Sequence, residues 1–591
     1  MNRAGPAIAA AVAAGVAVGV GDVLITLASS PDPAHAVYRL GYVLGPILAD
    51  VGCALSLGIV TALLGRGRAG GGEAIAAAVV TGAWALTLLA DAWLAGFSAA
   101  ALMALGLGTA LVAVALARLA RDVARWLYDG APHRRWIASG ATAALMILGT
   151  AVTAPSGMAA FGGGTGPCAE TSAVGSPNLL LITIDSLRLD DARTMSSYRR
   201  LAARGTEFTQ HVTDAPWTLP SVASLLSGVP VSVHGAGRSR SWSSLLDKTG
   251  LRGDAVTVAG ILGARGYRTH AVVTNPFLTS RYGIDTGFCS FENVTMEGEA
   301  VRGMAQTVPV RVARLLAPRW LPDDRAATVR ARAETWLDRR PPGAFFLWVH
   351  FLDPHAPYGD RDGASTSLTL DLMALQGEAS LEAPFSSVGR LRAGEFRPGP
   401  AERAQLRALY REDVTYVDRE IGRLLDGLAA RGLDDDTIVL LTADHGEEFW
   451  DHGGVEHGRT LYEEVLRVPL VIAPSAHETV DRLTTVLDVA PTIIARGGTA
   501  APTTWSGTDL LALPASRQGE LSLGTLLFGE ELTGLRTPTH KLVESEHGTT
   551  WLFDLAQDPG EQRNVAAADP ATLEATRARM APDDRPTQRP E

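Results

Sequence analysis

Cysteine is scarce in this chain of 591 residues, and its scarcity excludes two classes of protein. With 3 cysteines, the chain has neither the disulfide framework of a small secreted scaffold nor a zinc site built from cysteines. Cys53 lies in an apolar segment, whereas Cys168 and Cys289 could pair if that part of the chain is outside the cell. The sequence leaves this pairing open.

An excess of positive charge is also lacking. The formal net charge is -11, and no basic stripe crosses the globular part, which argues against nucleic acid as a partner. Most acidic residues lie after about residue 160, whereas the residues before it are rich in alanine, leucine, valine and glycine. The chain therefore divides into an apolar first part and a globular second part.

Five apolar runs in the first part are each long enough to span a bilayer. Five runs in succession favour membrane-spanning helices over buried core helices, and a signal peptide would explain only the first run. The runs cover about residues 6–28, 40–64, 74–95, 98–117 and 136–159. We therefore expect a transmembrane region of about five helices at residues 1–160.

Arginines between these runs predict the orientation of the region. The second loop contains Arg66 and Arg68 and the fourth contains five arginines, whereas residues 29–38 contain neither lysine nor arginine. Loops rich in positive charge remain cytoplasmic. We expect a protein of the cell membrane with a cytoplasmic N-terminus, a glycine-rich linker at 161–177 and an extracytoplasmic globular part.

Three apolar runs in the globular part end in side chains that can bind a metal or a substrate. Runs that are apolar throughout are typical of central parallel strands, and open α/β sheets bind ligands at the carboxyl ends of such strands. The three runs are residues 179–184 before Asp185, residues 344–352 before Asp353 and His355, and residues 437–443 before Asp444 and His445. His350 and Asp353 are weaker candidates for a supporting role. Alone, an aspartate at a strand end is more often a helix cap than a ligand.

Residues 214–228 place a hydroxyl group at the start of a helix. Pro220 suits a first helical turn, apolar residues recur at helical spacing from Val222, and Gly228 ends the pattern. Thr218 is expected just outside the helix, where free backbone N–H groups favour an anion. A threonine at such a position is more often only a helix cap.

Together these motifs resemble the sulfatase family of the alkaline phosphatase superfamily, over about residues 178–566. The resemblance implies an α/β fold with a central mixed sheet flanked by helices and a small C-terminal sheet, preceded here by the all-α transmembrane bundle. Residues 536–544 and 551–555 are expected as two strands of the small sheet. The implied domains are a catalytic domain at 178–500, a C-terminal subdomain at 501–575 and a disordered tail at 576–591.

The resemblance also implies a set of site residues. It implies one divalent metal ion, Ca²⁺, Mn²⁺, Mg²⁺ or Zn²⁺, bound by Asp185, Thr218, Asp444 and His445. Thr218 would be the nucleophile, and His355 would contact the oxygen atoms of the ester. His457 is the best match to the residue that contacts the substrate oxyanion, and His452 is the second.

Two departures from the family pattern bear on the chemistry. Thr218 stands where family sulfatases carry the Cys or Ser that becomes formylglycine, and Val222 stands where they carry Arg. Because a threonine cannot become formylglycine, its ester must be displaced at phosphorus or sulfur, and phosphorus accepts such an attack readily. We therefore expect cleavage or transfer of a phosphate-type ester without formylglycine.

The expected partners follow from the same features. The substrate is expected to be an anionic ester, either lipid-linked or part of a cell-surface polymer, and the apolar first part implies contact with membrane lipids. Two alternatives remain open at this point. One is a sulfatase in the strict sense, and the other is a non-catalytic binding module of the same fold.

Overall fold

A computed structural model describes residues 175–237, 248–294, 326–356, 358–359, 398–513, 519–527 and 530–580. The predicted membrane region at 1–160 lies outside the described residues, as do residues 581–591 of the predicted tail. Among the helices within the described ranges, none combines the length and apolar character needed to cross a membrane.

The described ranges contain fourteen strands. They are β1 (Asn178–Ile184), β2 (Thr206–Val212), β3 (Arg268–Val273), β4 (Ser290–Asn293), β5 (Phe345–Phe351), β6 (Thr437–Ala443), β7 (Glu448–Phe449), β8 (Val455–Glu456), β9 (Leu470–Ala473), β10 (Glu478–Thr485), β11 (Leu521–Leu523), β12 (Leu532–Arg536), β13 (His540–Ser545) and β14 (Thr550–Asp554).

Ten α-helices accompany these strands within the same ranges. They are α1 (Leu189–Ala192), α2 (Ser196–Ala202), α3 (Thr218–Ser227), α4 (Val231–His234), α5 (Val258–Ala264), α6 (Ala326–Arg339), α7 (Pro400–Ala430), α8 (Glu463–Leu466), α9 (Val489–Arg496) and α10 (Pro570–Arg577).

Eight strands form the central sheet, in the order β10-β2-β9-β6-β1-β5-β3-β4. The strands from β6 through β1, β5 and β3 to β4 pair in parallel, and β9 is antiparallel to both its neighbours. This confirms the predicted mixed α/β sheet. Because β6, β1, β5 and β3 are parallel neighbours, the residues that follow them meet at one edge of the sheet.

Both faces of this sheet are buried, which explains the uninterrupted apolar runs. In β1, Leu179 and Leu181 pack into the core that contains α3, α5 and α9, whereas Leu180 and Ile182 pack into the opposite core with α2, α6 and α7. A strand whose side chains enter a core on alternate faces favours apolar residues along most of its length, and its buried polar side chains need a partner, as Thr183 of β1 has in His350 of β5. The first polar side chains after such strands therefore gather at the sheet edge.

The small C-terminal sheet is antiparallel, in the order β11-β12-β13-β14. The strand expected at 536–544 is confirmed for residues 540–544, which lie in β13, but its start is wrong, because the chain turns between Arg536 and His540 and Arg536 belongs to β12, which pairs with β13. Pro538, which lacks an N–H group for the ladder, lies in that turn. Helix α10 enters the region predicted as a tail, and Met580 is buried against this sheet.

Candidate active site

Strands β1 and β6 bring two aspartates and a histidine together. In their parallel pairing Ile184 is opposite Ala443, so Asp185 and Asp444 leave the sheet side by side. Both carboxylates and the following His445 are fully buried, and ligand atoms of the three residues lie within 4.8 Å of one another. The imidazole Nε2 of His445 is 3.5 Å from Asp185 Oδ1 and 3.5 Å from Asp444 Oδ2.

The hydrogen bonds of this cluster leave acceptor atoms facing one another. His445 Nδ1 is 2.9 Å from the carbonyl oxygen of Gly446, which can only accept, so Nδ1 carries the hydrogen and Nε2 presents a lone pair. Asp444 Oδ1 accepts from two backbone N–H groups, but its Oδ2 is buried without a hydrogen-bond partner in the described residues. Two carboxylate oxygens and an imidazole lone pair in one buried space fit a divalent cation.

The two carboxyl groups differ in acidity because their charged neighbours differ. Burial raises the pKa of Asp444 to about 8, and the negative charge of Asp185 adds to the effect. Burial also opposes ionisation of Asp185, but the neighbouring histidines, His355 foremost, lower the pKa of Asp185 far below its ordinary value. Without a bound cation, the site therefore carries one carboxylate and one protonated carboxyl group at neutral pH.

This difference predicts a pH-dependent stability of the metal-free protein. Because the folded-state pKa of Asp444 is raised to about 8, the folded chain retains a proton that the unfolded chain releases above about pH 4. The contribution of Asp444 to the free energy of unfolding therefore falls as the pH rises from about 4 to about 8. We expect Asp444→Asn to raise the melting temperature of the chelated protein more at pH 8 than at pH 5. Thermal unfolding of both proteins measures this, and a gain independent of pH would contradict it.

Helix α3 begins with Thr218 itself. The expectation that Thr218 lies just outside the helix is wrong by one residue, because Trp217 is the extended residue before the first turn. The indole N–H of Trp217 donates to the carbonyl of Thr525, and its ring packs edge-on against Phe277. Ser221, one turn later, donates to the carbonyl of Asp444. These contacts fix the hydroxyl of Thr218 3.4 Å from Asp185 Oδ2 and 3.5 Å from His445 Nε2.

Asn275 is a site residue to which the sequence assigned no role. Its Nδ2 donates to Asp185 Oδ2 at 2.8 Å and to Thr218 Oγ1 at 3.1 Å, and its Oδ1 accepts from the N–H of Phe277. The φ angle of 147° at Asn275 is rare for a residue other than glycine, so the surrounding contacts hold this residue in a strained conformation. The sequence could have indicated a role for Asn275 only by its position, because it follows β3 and Thr274 at the same edge of the sheet as Asp185.

Strand β5 contributes His350, a weaker candidate from the sequence. His350 Nε2 is buried 3.5 Å from Asp185 Oδ2, and its Nδ1 is 2.8 Å from the hydroxyl of Thr183 on β1. Asp353, the other weak candidate, instead accepts from the N–H of Ala326 at the start of α6. It is therefore a helix cap and not part of the cluster.

The two histidines expected to contact substrate lie beside the cluster. The ring of His457 is 4.3 Å from that of His445 and 5.0 Å from that of His355, between ring centres. Burial, together with the nearby His445 and His355, lowers the pKa of His457 well below its ordinary value. His355 is partly exposed; desolvation opposes its charged form, but the carboxylates of Asp185 and Glu447 raise its pKa.

His452, the second choice for the oxyanion contact, faces away from this group. Its Nδ1 is 2.7 Å from Glu464 Oε1, and its ring stacks on Tyr462 at 3.6 Å. Its Nε2 is 3.1 Å from the carbonyl of Gly560, so it joins the hairpin of β7 and β8 to the C-terminal subdomain. Of the two histidines, His457 is the one that the fold brings to the cluster.

Comparisons with known proteins agree with this fold. Residues 177–499, more than half of the chain, match the family described as Sulfatase. Arylsulfatase K of Canis lupus familiaris is 25% identical over 483 residues, which is 72% of this chain and 86% of the relative. A phosphonate monoester hydrolase from Silicibacter pomeroyi has a TM-score of 0.51 at 23% identity, with 70% of this chain and 96% of that chain covered. BT4656, solved with its substrate D-glucosamine-2-N,6-O-disulfate, has a TM-score of 0.52 at 18% identity, with coverage of 68% and 96%.

Proposed function

This chain belongs to the sulfatase family, and from that premise we propose that it cleaves or transfers a phosphate-type ester through a Thr218 nucleophile. The observation that carries the proposal is the position of the Thr218 hydroxyl. It stands at the first residue of a buried helix, within 3.5 Å of Asp185 and His445, and it accepts a hydrogen bond from Asn275. A threonine that served only as a helix cap would not need a buried cluster of acidic side chains.

The cluster fits the single divalent metal ion that the family implies. The ion would be held by Asp185, Asp444 and His445 together with the Thr218 oxygen. The ligand atoms of the first three residues face one another, and His445 presents a lone pair, not an N–H group, to the two carboxylates. When bound, the ion supplies Lewis acidity that polarises the ester and lowers the pKa of the hydroxyl. The donor set is compatible with Mn²⁺, Zn²⁺, Mg²⁺ and Ca²⁺.

The protein groups around Thr218 suit attack on an anionic ester. The N–H groups in the first turn of α3 favour negative charge at this end of the helix. The Asn275 amide donates to Thr218 Oγ1, which stabilises the oxygen as it loses its proton. His355 and His457 supply imidazole groups that can bind ester oxygens or move a proton.

The choice of phosphorus over sulfur depends on the residue types at two positions. A threonine cannot provide the two hydroxyl groups of a formylglycine hydrate, so the Thr218 ester must be displaced by water or by an acceptor alcohol. Val222, where family sulfatases carry Arg, is fully buried in the core beneath α3 and offers no charge to the site. Both features favour a phosphate-type ester.

Sulfate ester hydrolysis is the second candidate. It is supported by the similarity to Arylsulfatase K and by the disulfated glucosamine substrate of BT4656. The phosphonate monoester hydrolase, which has the same fold, supports the first candidate, cleavage of a phosphorus ester, to a similar degree. The chemistry of Thr218 decides our preference between them.

A membrane location outside the cytoplasm remains part of the proposal. It is supported by the five apolar runs before residue 160 and by their arginine distribution. Cys289 is disulfide-bonded, and disulfides persist mainly in oxidising compartments. A catalytic domain outside the cytoplasm and next to the membrane would be able to reach a lipid-linked or cell-surface anionic ester.

A comparison of ester classes tests the proposed function. The full-length protein, loaded in turn with each divalent cation, is assayed on p-nitrophenyl phosphate, a p-nitrophenyl phosphonate, bis-p-nitrophenyl phosphate and p-nitrophenyl sulfate. We expect the largest kcat/KM on a phosphorus ester. A larger kcat/KM on the sulfate would favour the second candidate, and absence of bound metal together with no turnover would favour a non-catalytic module.

A further inference from the structure

Glu447 is a buried carboxylate whose two oxygens contact different partners. It follows His445 by two residues, is fully buried, and places Oε1 2.9 Å from His457 Nδ1. Its Oε2 accepts from the hydroxyl of Tyr358 at 2.9 Å. The carbonyl of the same residue accepts from Arg188 Nη1 at 2.8 Å, so main chain and side chain are both held.

These contacts determine which nitrogen of His457 is engaged by Glu447. In its ionised form Glu447 only accepts hydrogen bonds, and the hydrogen between Glu447 and His457 then belongs to Nδ1. Tyr358, which donates to the other oxygen, keeps the carboxylate from turning away. Nε2 of His457 is then the nitrogen left to act on a substrate, in the way that an aspartate orients histidine in hydrolase triads.

His457 and the nucleophile lie at different oxygens of Asp185. Thr218 and Asn275 both contact Oδ2. Oδ1 accepts from Ser186 Oγ at 2.9 Å, and the same hydroxyl is 3.4 Å from His457 Nδ1. In-line displacement needs the attacking oxygen and the leaving oxygen on opposite sides of phosphorus. An ester attacked by Thr218 would therefore have its leaving oxygen on the side away from Thr218, and His457, which is linked to Asp185 through the Ser186 hydroxyl and not through Thr218, is the imidazole that we assign to that side.

We propose that Glu447 is a positioning residue that orients His457 for proton transfer at the leaving oxygen; this rests on the proposed function. Before the first step Thr218 has released its proton to solvent, and His457, beside the bound anionic ester, has taken one from solvent at Nε2, so that both of its nitrogens carry hydrogen. In the first step the ionised Thr218 oxygen bonds to phosphorus, the bond from phosphorus to the leaving oxygen breaks, and that oxygen takes the Nε2 proton, which leaves His457 neutral with hydrogen on Nδ1. In the second step a water oxygen bonds to phosphorus, the bond from Thr218 to phosphorus breaks, and His457 Nε2 takes the proton of the water.

Leaving-group dependence tests this role. An alkoxide needs a proton to depart, whereas p-nitrophenolate does not, so Glu447→Ala should lower kcat for a methyl ester about 100-fold. With the p-nitrophenyl ester the first step should remain fast and the second should slow. The variant should then release a burst of nitrophenolate while the covalent ester of Thr218 accumulates in the intact-protein mass. Glu447→Gln, whose amide oxygen can still accept from Nδ1, should recover part of the loss.

Glu448→Gln is the matched control. Glu448 is also buried, but its carboxylate accepts from the backbone N–H groups of His452 and Gly454 and not from His457. Any loss in this control should be equal for both esters and should not trap the covalent ester. Equal losses for both esters in Glu447→Ala, at unchanged metal content, would overturn the proposal.

A measurement without turnover separates this inference from the proposed function. In full-length protein labelled with ¹⁵N-histidine, the His457 signals, identified by their loss in His457→Gln, should show hydrogen on Nδ1, and Glu447→Ala should shift them. That result supports the positioning role even if no phosphorus ester is cleaved, in which case only the proposed function fails. Hydrogen on Nε2 alone, unchanged in Glu447→Ala, would overturn the positioning role. If the sulfate is the better substrate, methyl and p-nitrophenyl sulfates replace the phosphorus esters in the leaving-group test.

Discussion

Thr218→Ala should lower kcat by at least about 10⁴-fold on every ester that the wild-type protein cleaves, because the variant lacks the hydroxyl that forms the covalent ester. Asp185, Asp444 and His445 remain in this variant, so it should still bind metal. Thr218→Ser, which keeps a hydroxyl on the same helix, should retain turnover. Steady-state kinetics with metal analysis of each protein measures both expectations.

Thr257→Ala is the control for this substitution. Thr257 is also a buried threonine at the start of a helix, where its hydroxyl accepts from the N–H of Gly260. Its loss should cost about 1 kcal/mol of stability as a missing helix cap, with kcat unchanged. Turnover by Thr218→Ala within tenfold of the wild type would show that Thr218 is not the nucleophile.

Asp185→Asn should remove both metal binding and activity. The carboxylate of Asp185 is opposite the lone pair of His445 and accepts from Asn275, Thr218 and Ser186. An amide in its place cannot supply the charge that holds a cation in a buried site, so we expect a loss of kcat of about 10³-fold or more. Chelation of the wild-type protein should give the same loss, reversed by adding the divalent ion.

Asp353→Asn provides the comparison for Asp185. Asp353 is equally a buried aspartate that follows a central strand, but it caps α6. Metal content and kcat of this variant should match those of the wild type. If Asp185→Asn bound metal and turned over normally, the cluster of acidic side chains would have to serve another purpose.

The sequence could predict that Asp185, Asp444 and His445 meet because the sheet itself assembles them, whereas their role as metal ligands was implied by the resemblance to the family. Asp185 and Asp444-His445 are the first polar residues after strands that are apolar on both faces, and parallel pairing places such residues at one edge. No knowledge of loop structure was needed for these residues. The same reasoning predicted the central sheet.

Residues whose roles depend on loop conformation could not be predicted in the same way. Asn275 reaches Asp185 only because its backbone adopts a φ angle of 147°, which the sequence does not reveal. His452 and His457 lie on one short hairpin, and the pairing of β7 with β8 decides that only His457 enters the site. Glu447 resembles any charged residue of a loop until Tyr358 and His457 are seen against its oxygens.

The central claim is that Thr218 carries the transferred group, and the mass of the protein during turnover tests it most directly. Full-length protein is mixed with its best ester, quenched in acid, and analysed intact and as peptides. Our account predicts the added mass of a phosphate-type group on the peptide that contains Thr218, and its absence in Thr218→Ala. Turnover at a normal rate with unmodified Thr218, or with the group on another residue, would contradict the account.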